Sequence, residues 1–151
     1  MRLHAILGQS RLHLASAIIA VDWEKISLYG SDQKQFQDIK RGLISLIKSH
    51  PELSEIPAHA LSKKTEFIKI PTLDRRNNDM LSMIRELRKS LKVMREEIDS
   101  SDVLFYSGTK PHLSLFVSER GFERILSFRD DSLELQINTK EKGETKISRL
   151  P

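Results

Sequence analysis

The sequence predicts an α/β fold in which a mostly parallel sheet is flanked by helices and closed by a C-terminal β-hairpin. Three observations carry this prediction. Short apolar runs, typical of buried strands, alternate with longer segments whose apolar residues repeat every three to four positions. Several of the runs end at a glycine or a proline. The last two runs are separated only by a short turn at Asp130 and Asp131, which indicates a hairpin.

The predicted elements follow each other in the order β-α-β-α-β-α-β-α-β-β. The predicted strands are Leu3–Leu7, Lys25–Tyr29, Thr65–Ile70, Val103–Tyr106, Arg124–Phe128 and Leu133–Asn138. The predicted helices are Gln9–Val21, a helix capped by Ser31 or Asp32 that ends near Pro51, Asp74–Asp99, and Pro111–Glu119. We expect Glu52–Lys64 to form a polar loop with a short helical turn.

The composition indicates one globular domain over residues 1–139, with residues 140–151 as a tail or the start of a linker. The chain has 151 residues, of which 38% are hydrophobic and 30% charged, and its formal net charge is +4. This charge favours an anionic partner such as a nucleotide or RNA. Cysteine is absent, which excludes disulfides, and no apolar stretch reaches the roughly 18 residues of a membrane span. We expect a cytoplasmic protein without a membrane partner.

The long helix Asp74–Asp99 carries many charged residues outside its apolar positions. From Arg85 to Glu97 both signs alternate along the sequence, which is typical of a solvated helix face. A basic stripe of the kind used by duplex binders is missing from this pattern, so no DNA partner is expected.

Three small polar turns follow predicted strands one, two and four. These turns are Gly8-Gln9-Ser10, Gly30-Ser31-Asp32 and Ser107-Gly108-Thr109-Lys110. Because parallel strands present their carboxyl ends at one edge of the sheet, the three turns are expected to converge there. A glycine turn that leads into a helix N-terminus offers backbone N–H groups to an anion, and Lys110 adds a full positive charge. The sequence therefore predicts a site for a phosphate-rich small ligand.

The other candidate residues have simpler interpretations. Ser10, Asp32 and Thr109 are also suited to cap the helices that follow them. The five histidines are scattered without the spacing of a metal site, and only His112 lies beside the predicted ligand. We therefore expect neither a metal nor a cofactor.

The topology and the turn sequences resemble the CARF domains, the CRISPR-associated Rossmann-fold family. Members commonly have a Gly-Gly-Thr-Lys turn followed by an apolar helix, and this chain has Ser107-Gly108-Thr109-Lys110 before Pro111. Ser107 and Pro111 depart from that pattern. A small hydroxyl residue after the first strand, here Ser10, and a closing hairpin, here within Ile125–Ile137, also fit the family. The resemblance implies a Rossmann-like domain.

The resemblance also implies a function. CARF domains bind cyclic oligoadenylates, second messengers of type III CRISPR antiviral signalling, across the twofold axis of a homodimer. Carried over to this chain, Thr109 and Lys110 would contact phosphate and ribose, and Ser10 would line the ring. Gly108 would let the backbone approach closely. Some members act as metal-independent ring nucleases, for which Lys110 and Ser10 would be the catalytic residues. The chain would be a stand-alone sensor or part of a longer protein with an effector.

Two other classes of function stay open from the sequence. The same turns could hold a mononucleotide or a sugar phosphate in a small α/β protein. Alternatively, the chain could be a dimerisation module that uses the helix Asp74–Asp99 and binds no ligand. A receiver domain fits poorly because no acidic cluster follows the first strand. A dinucleotide-binding domain fits poorly because Gly-x-Gly-x-x-Gly is absent there.

Overall fold

A computed structural model of the chain describes residues 1–8, 10–70, 80–106, 124–129, 132–138 and 145–149. Its helices are α1 (Arg11–Ala20), α2 (Gln33–Ser49), α3 (Ala58–Lys64) and α4 (Met80–Glu97), with a 3-10 turn at Pro51–Leu53. Its strands are β1 (Leu3–Ile6), β2 (Ile26–Gly30), β3 (Thr65–Lys69), β4 (Val103–Tyr106), β5 (Arg124–Arg129), β6 (Ser132–Asn138) and β7 (Thr145–Arg149).

The described strands form one sheet of seven in the order β3-β2-β1-β4-β5-β6-β7. Strands β3, β2, β1, β4 and β5 run parallel to one another. Strands β5, β6 and β7 pair in antiparallel fashion, and the predicted hairpin joins β5 to β6. The α/β fold with a mostly parallel, helix-flanked sheet and a C-terminal hairpin is therefore confirmed.

The helices divide between the two faces of the sheet according to the direction in which the chain moves. The steps from β1 to β2 and from β2 to β3 run in one direction, so right-handed crossovers place α1 and α2 on the same face. The step from β3 back to β4 runs the other way and places α4 on the opposite face. Along β1 the side chains alternate: Leu3 and Ala5 lie in the core under α1, α2 and α3, whereas Ile6 lies in the core under α4.

Helix α2 shows how the spacing of apolar residues determines both the helix and the side of it that is buried. Its apolar residues, at intervals of three and four, are the ones that are buried: Phe36, Ile39, Leu43 and Ile47. The Asp32 carboxylate accepts a hydrogen bond from the Lys34 N–H at 2.9 Å and caps the first turn. The helix ends at Ser49, just before Pro51.

Two elements differ from the sequence prediction. The expected polar loop contains α3, a seven-residue helix anchored by buried Leu61. The Thr65 hydroxyl donates to the Leu61 carbonyl at 2.7 Å and closes the end of this helix. The second difference is β7, which pairs with β6 inside the segment expected to be a tail. Its sequence has a single large apolar residue, Ile147, which explains why no strand pattern was visible.

Some predicted elements lie outside the described residues. The predicted helix Pro111–Glu119 falls entirely within 107–123. The proposed cap Asp74 precedes Met80, the first described residue of α4. These predictions stay as the sequence states them.

Gly30 at the end of β2 is predicted to be intolerant of a side chain. A Cβ at this buried position would lie 3.0 Å from Leu7 Cδ1 and 3.3 Å from Leu7 Cβ. Leu7 is itself buried and its Cβ cannot swing away, so the crowding must be relieved by backbone movement. We expect Gly30→Ala to lower the free energy of unfolding by about 1–2 kcal/mol, measured by urea denaturation.

Gly42 provides the matched control for this substitution. It is exposed within α2, and a Cβ there would meet no heavy atom within 4 Å. Because glycine is a poor helix former, Gly42→Ala should raise the free energy of unfolding by about 0.5–1 kcal/mol. Equal effects of the two substitutions would contradict the close packing of Leu7 on Gly30.

Candidate functional site

The sheet reverses its strand order at β1, and in open α/β sheets such a reversal marks a crevice beside the carboxyl end of the strand; we call this point between β1 and β4 the crevice. β1 lies between β2 and β4, with Ile6 paired with Tyr29 on one side and Ala5 with Phe105 on the other. The chain leaves β1 towards β2 on one side. It reaches β4, on the other side of β1, from the edge strand β3. Open α/β sheets bind ligands at such a point, outside the carboxyl ends of the strands.

The turn after β1 leads directly into a helix N-terminus at this crevice. Leu7 N–H donates to the Tyr29 carbonyl at 2.7 Å, which ties the start of the turn to β2. Gly8 has a φ of 95°, a left-handed conformation that glycine adopts without strain. The Ser10 hydroxyl then accepts from the His13 N–H at 3.4 Å and caps α1. Two of the three predicted residues of this turn are therefore placed at the crevice, and Gln9 lies outside the described residues.

The turn after β2 lies beside the turn after β1. Gly30 accepts a hydrogen bond from the Ile70 N–H at 2.9 Å, which holds the end of β2 against the residue that follows β3. Ser31 and Asp32 are both exposed at this edge. Because the Asp32 carboxylate caps α2, its observed role is that of a helix cap. The structure thus brings the first and second predicted turns to the same edge of the sheet.

The third predicted turn cannot be placed in the same way. β4 ends at Tyr106, and its register with β1 brings this end to the edge where Ile6 lies. Ser107, Gly108, Thr109, Lys110 and His112 all lie outside the described residues. Their contribution to the site stays a prediction from the sequence.

Cationic residues that the sequence analysis did not single out also lie at this edge. Arg11 is exposed in the first turn of α1, Lys34 is exposed in the first turn of α2, and exposed Lys69 ends β3. Neither α1 nor α2 has an acidic residue in its first turn, although acidic residues are favoured there by the helix dipole. The available signal was positional, because Arg11 directly follows the predicted cap Ser10.

A buried polar network lies behind the crevice, on the α4 side of the sheet. His4 at the centre of β1 is fully buried. Its Nε2 lies 2.9 Å from the Asp102 carboxylate, and its Nδ1 lies 2.7 Å from the Tyr29 hydroxyl. Since the ionised carboxylate only accepts, Nε2 of His4 carries the proton and Nδ1 accepts from Tyr29. One side chain thus joins β2, β1 and the residue that precedes β4.

Asp102 gathers further donors around the same carboxylate. Arg2 donates to it from Nη2 at 2.8 Å, and the Asp99 N–H donates at 3.1 Å. Burial by itself raises the pKa of Asp102, but the hydrogen bonds from His4, Asp99 and Arg2 together hold that pKa below its ordinary value. The Asp102 carboxylate is therefore ionised and paired with the Arg2 guanidinium.

The same arrangement keeps His4 neutral. Burial lowers the pKa of His4 below its ordinary value, although Asp102 opposes the shift. Arg2, which forms ion pairs with both Asp102 and exposed Asp99, also lowers the pKa of His4 through its positive charge. A proton on His4 would also turn Nδ1 into a second donor facing the Tyr29 hydroxyl.

We expect the free energy of unfolding to fall as the pH drops below 6.5, the ordinary pKa of histidine. Because the pKa of His4 is lower in the folded state, just below pH 6.5 this histidine binds a proton in the unfolded chain but not in the folded chain. The stability contributed by neutral His4 is therefore complete above that pH and is lost below it. The limiting slope is about 1.4 kcal/mol per pH unit, measured by urea denaturation between pH 7.5 and 5.

His59 supplies the matched control because it is exposed in α3. His59→Gln should keep the pH profile of the wild type, whereas His4→Gln should flatten it over this interval. Tyr29→Phe removes the hydroxyl that donates to His4 and should cost about 1–3 kcal/mol at every pH, because Nδ1 is then buried without a donor. A wild-type profile in His4→Gln would show that another group titrates.

The part of the chain that the structure describes contains neither a metal-binding cluster nor a membrane-spanning helix. No group of three or more histidine, aspartate or glutamate side chains is placed to hold a metal ion there. No described helix is long and apolar enough to cross a membrane.

Comparisons with known proteins identify the fold but no family. No protein-family model and no curated protein matches the sequence. Among solved structures, the chain is similar to Can2 from Sulfobacillus thermosulfidooxidans, solved in complex with cyclic tetra-adenylate, with a TM-score of 0.53 and 13% sequence identity. This match covers 99% of the present chain and 36% of Can2.

A second similar structure is protein VC1899 from Vibrio cholerae, with a TM-score of 0.48 and 20% identity. That match covers 96% of the present chain and 35% of VC1899. The chain therefore spans about a third of the length of both proteins. At these identities the likeness to Can2 shows a shared fold.

Proposed function

We propose that this chain binds a cyclic oligoadenylate, with cyclic tetra-adenylate favoured, across a homodimer in type III CRISPR antiviral signalling. The observation that carries the proposal is the reversal of strand order between β1 and β4, where the turn after β1 leads into the N-terminus of α1. An anion there meets the N–H groups of the first turn of α1, the positive end of its dipole, and the exposed cation Arg11.

The features of this edge fit a ligand that carries several phosphates. Gly8 has no Cβ to keep a phosphate from the backbone, and its left-handed conformation directs the chain into the Ser10 cap. Arg11 occupies the first turn of α1, where neither the Ser10 cap nor the first turn carries a carboxylate that would repel the ligand, whereas the Asp32 carboxylate caps α2 beside Lys34. The similar fold of Can2, solved with cyclic tetra-adenylate, adds support at the level of the fold. The turn Ser107–Lys110 adds support from the sequence.

The proposal requires two copies of the chain, since a cyclic tetranucleotide presents its phosphates symmetrically. An isologous dimer would present two copies of Lys110, one from each protomer, on opposite sides of the ring. An exposed apolar side chain beside the crevice supports such a dimer. Leu12, the second residue of α1, is 74% exposed. A large apolar residue with this exposure next to a ligand edge is suited to contact with a second protomer.

We expect Lys110→Ala to weaken binding of cyclic tetra-adenylate by about a hundredfold or more. A hydrogen bond to a charged group contributes about 1.5–3 kcal/mol, and one substitution removes two such bonds from the dimer. Arg11→Ala should weaken binding by about tenfold, because an exposed cation is partly screened by solvent. Isothermal titration calorimetry gives both affinities, and Lys48→Ala and Arg41→Ala, exposed in α2, are the matched controls.

The same titration separates this proposal from its alternatives. Saturation should occur at one ring per two chains, and sedimentation of the complex should give the mass of a dimer. Tighter binding of a mononucleotide or a sugar phosphate would favour the small-ligand alternative. A dimer that binds none of these compounds would favour the dimerisation module, and a strict monomer in the presence of the ring would contradict the proposal.

Ring cleavage is a separate prediction, with Lys110 and Ser10 as its catalytic residues. A ribose 2′-hydroxyl would attack the adjacent phosphorus in line and lose its proton to solvent. The new O2′–P bond replaces the P–O5′ bond, and the 5′ oxygen takes up a proton. Excess protein incubated with labelled cyclic tetra-adenylate in EDTA should slowly give linear products ending in a 2′,3′-cyclic phosphate. An intact ring in a tube where binding is confirmed would identify a sensor that does not cleave.

A further inference from the structure

The solvent face of α4 carries a row of positive charge that the sequence order conceals. Five exposed side chains form what we call the cationic stripe: Arg85, Arg88, Lys89, Lys92 and Arg95. Consecutive members are one or three positions apart in the sequence, so the stripe runs along the helix axis for about 15 Å. At about 100° per residue, all five fall within an arc of about 120°.

Two of the three acidic residues of α4 lie outside this arc: Glu86 is half-buried at its flank, and Glu97 lies beyond it in the last turn. Glu96, also in the last turn, falls inside the arc beside Arg95. The opposite side of the helix is packed on the sheet, where Ser90 and Met94 are fully buried. The signs alternate along the sequence, but from Arg85 to Lys92 they separate around the helix. Over that length the stripe is a positive surface and not the mixed surface that the sequence order suggested.

In the part of the chain that the structure describes, no carboxylate forms an ion pair with a member of the cationic stripe. The ion pairs found among the described residues involve Arg2, Lys25 and Lys64, together with the N-terminus and two histidines. No member of the cationic stripe takes part in them. Like charges three and four residues apart on one helix repel each other, so the stripe lowers the stability of the free helix. A polyanion laid along it would remove that repulsion.

We propose that the cationic stripe of α4 docks a single-stranded nucleic acid through its phosphodiester backbone. Regularly spaced phosphates complement cations spaced about 5–6 Å apart along one helix face. α4 lies flat on the sheet and presents a convex row of charge. A stiff duplex would touch such a row only locally, whereas a flexible single strand can follow it.

Two further observations favour this occupant over other polyanions. Leu81 and Ile84 are 66% and 40% exposed at the start of α4, beside the stripe, where they offer apolar contact to unstacked bases. Among the described side chains on the apolar side of α4, Met94 lies in the core of the sheet, and Val93 and Ile98 pack against that core. The helix therefore cannot insert an apolar face into a bilayer, as an interfacial membrane helix must. The test therefore also measures whether the stripe binds anionic vesicles or acidic polypeptides.

The test compares two triple variants of equal composition. Arg88→Gln, Lys89→Gln and Lys92→Gln together remove the centre of the stripe, and glutamine has nearly the helix propensity of the residues that it replaces. The control combines Arg41→Gln, Lys48→Gln and Lys63→Gln, all exposed on α2 and α3. Both variants lose three positive charges. Thermal unfolding monitored by circular dichroism verifies that both are folded.

Fluorescence anisotropy with a labelled 20-nucleotide oligouridylate measures binding between 50 and 200 mM salt. The stripe variant should bind about tenfold more weakly at the lowest salt. The slope of log K against log salt should become shallower by about 2, because each lost phosphate contact removes about 0.7. The control variant should retain most of the wild-type affinity.

Several results would overturn the proposal. One is an equal loss in the two variants, which would show that only the net charge acts. Another is wild-type affinity in the stripe variant. A third is a higher affinity of the stripe for polyglutamate or for phosphatidylserine vesicles than for oligouridylate. Binding of cyclic tetra-adenylate is measured separately, and its failure would leave these outcomes unchanged.

Discussion

The hydrogen bond between His4 and Asp102 holds the centre of this structure together. It joins the middle of β1 to the start of β4 across 98 residues of sequence, and the Tyr29 hydroxyl extends it to β2. These are the three strands whose carboxyl ends line the crevice. A buried polar chain tolerates only arrangements in which every donor meets an acceptor, so it restricts the register of the strands more narrowly than apolar packing does. The alignment of these carboxyl ends, where we propose the ligand site, therefore depends on a hydrogen-bond network on the α4 face of the sheet.

Buried and exposed charges in this molecule are arranged differently. Inside the sheet, Arg2 and Asp102 neutralise each other and His4 stays neutral, because an unbalanced charge there would be costly. At the carboxyl edge, by contrast, Arg11 and Lys34 stand in first turns that already carry the positive end of a helix dipole. Cations at such positions do not stabilise their own helices. At α2 the Asp32 carboxylate already supplies an anion, whereas α1 is capped by the uncharged Ser10, so Arg11 is the cation that the proposed ligand would meet.

The sequence was sufficient for the features that depend on local pattern. Short apolar runs located β1 to β6, and the glycine turns after β1 and β2 identified two parts of the edge. Features that depend on distant partners were missed. A lone histidine between Leu3 and Ala5 gives no sign that its partner is Asp102, and one apolar residue does not reveal β7. The stripe on α4 was missed for another reason: alternation of charge in sequence does not determine its distribution around a helix.

The central claim is that the crevice between β1 and β4 is the ligand site, and the most direct measurement is an amide-resolved NMR titration with cyclic tetra-adenylate. The account predicts that the signals of Gly8, Ser10 and Arg11 shift and saturate together, while those at the opposite edge, such as Glu24, stay in place. Saturation that leaves Gly8 and Ser10 unchanged and shifts residues elsewhere would contradict it. The absence of any shift at saturating ligand would contradict it equally.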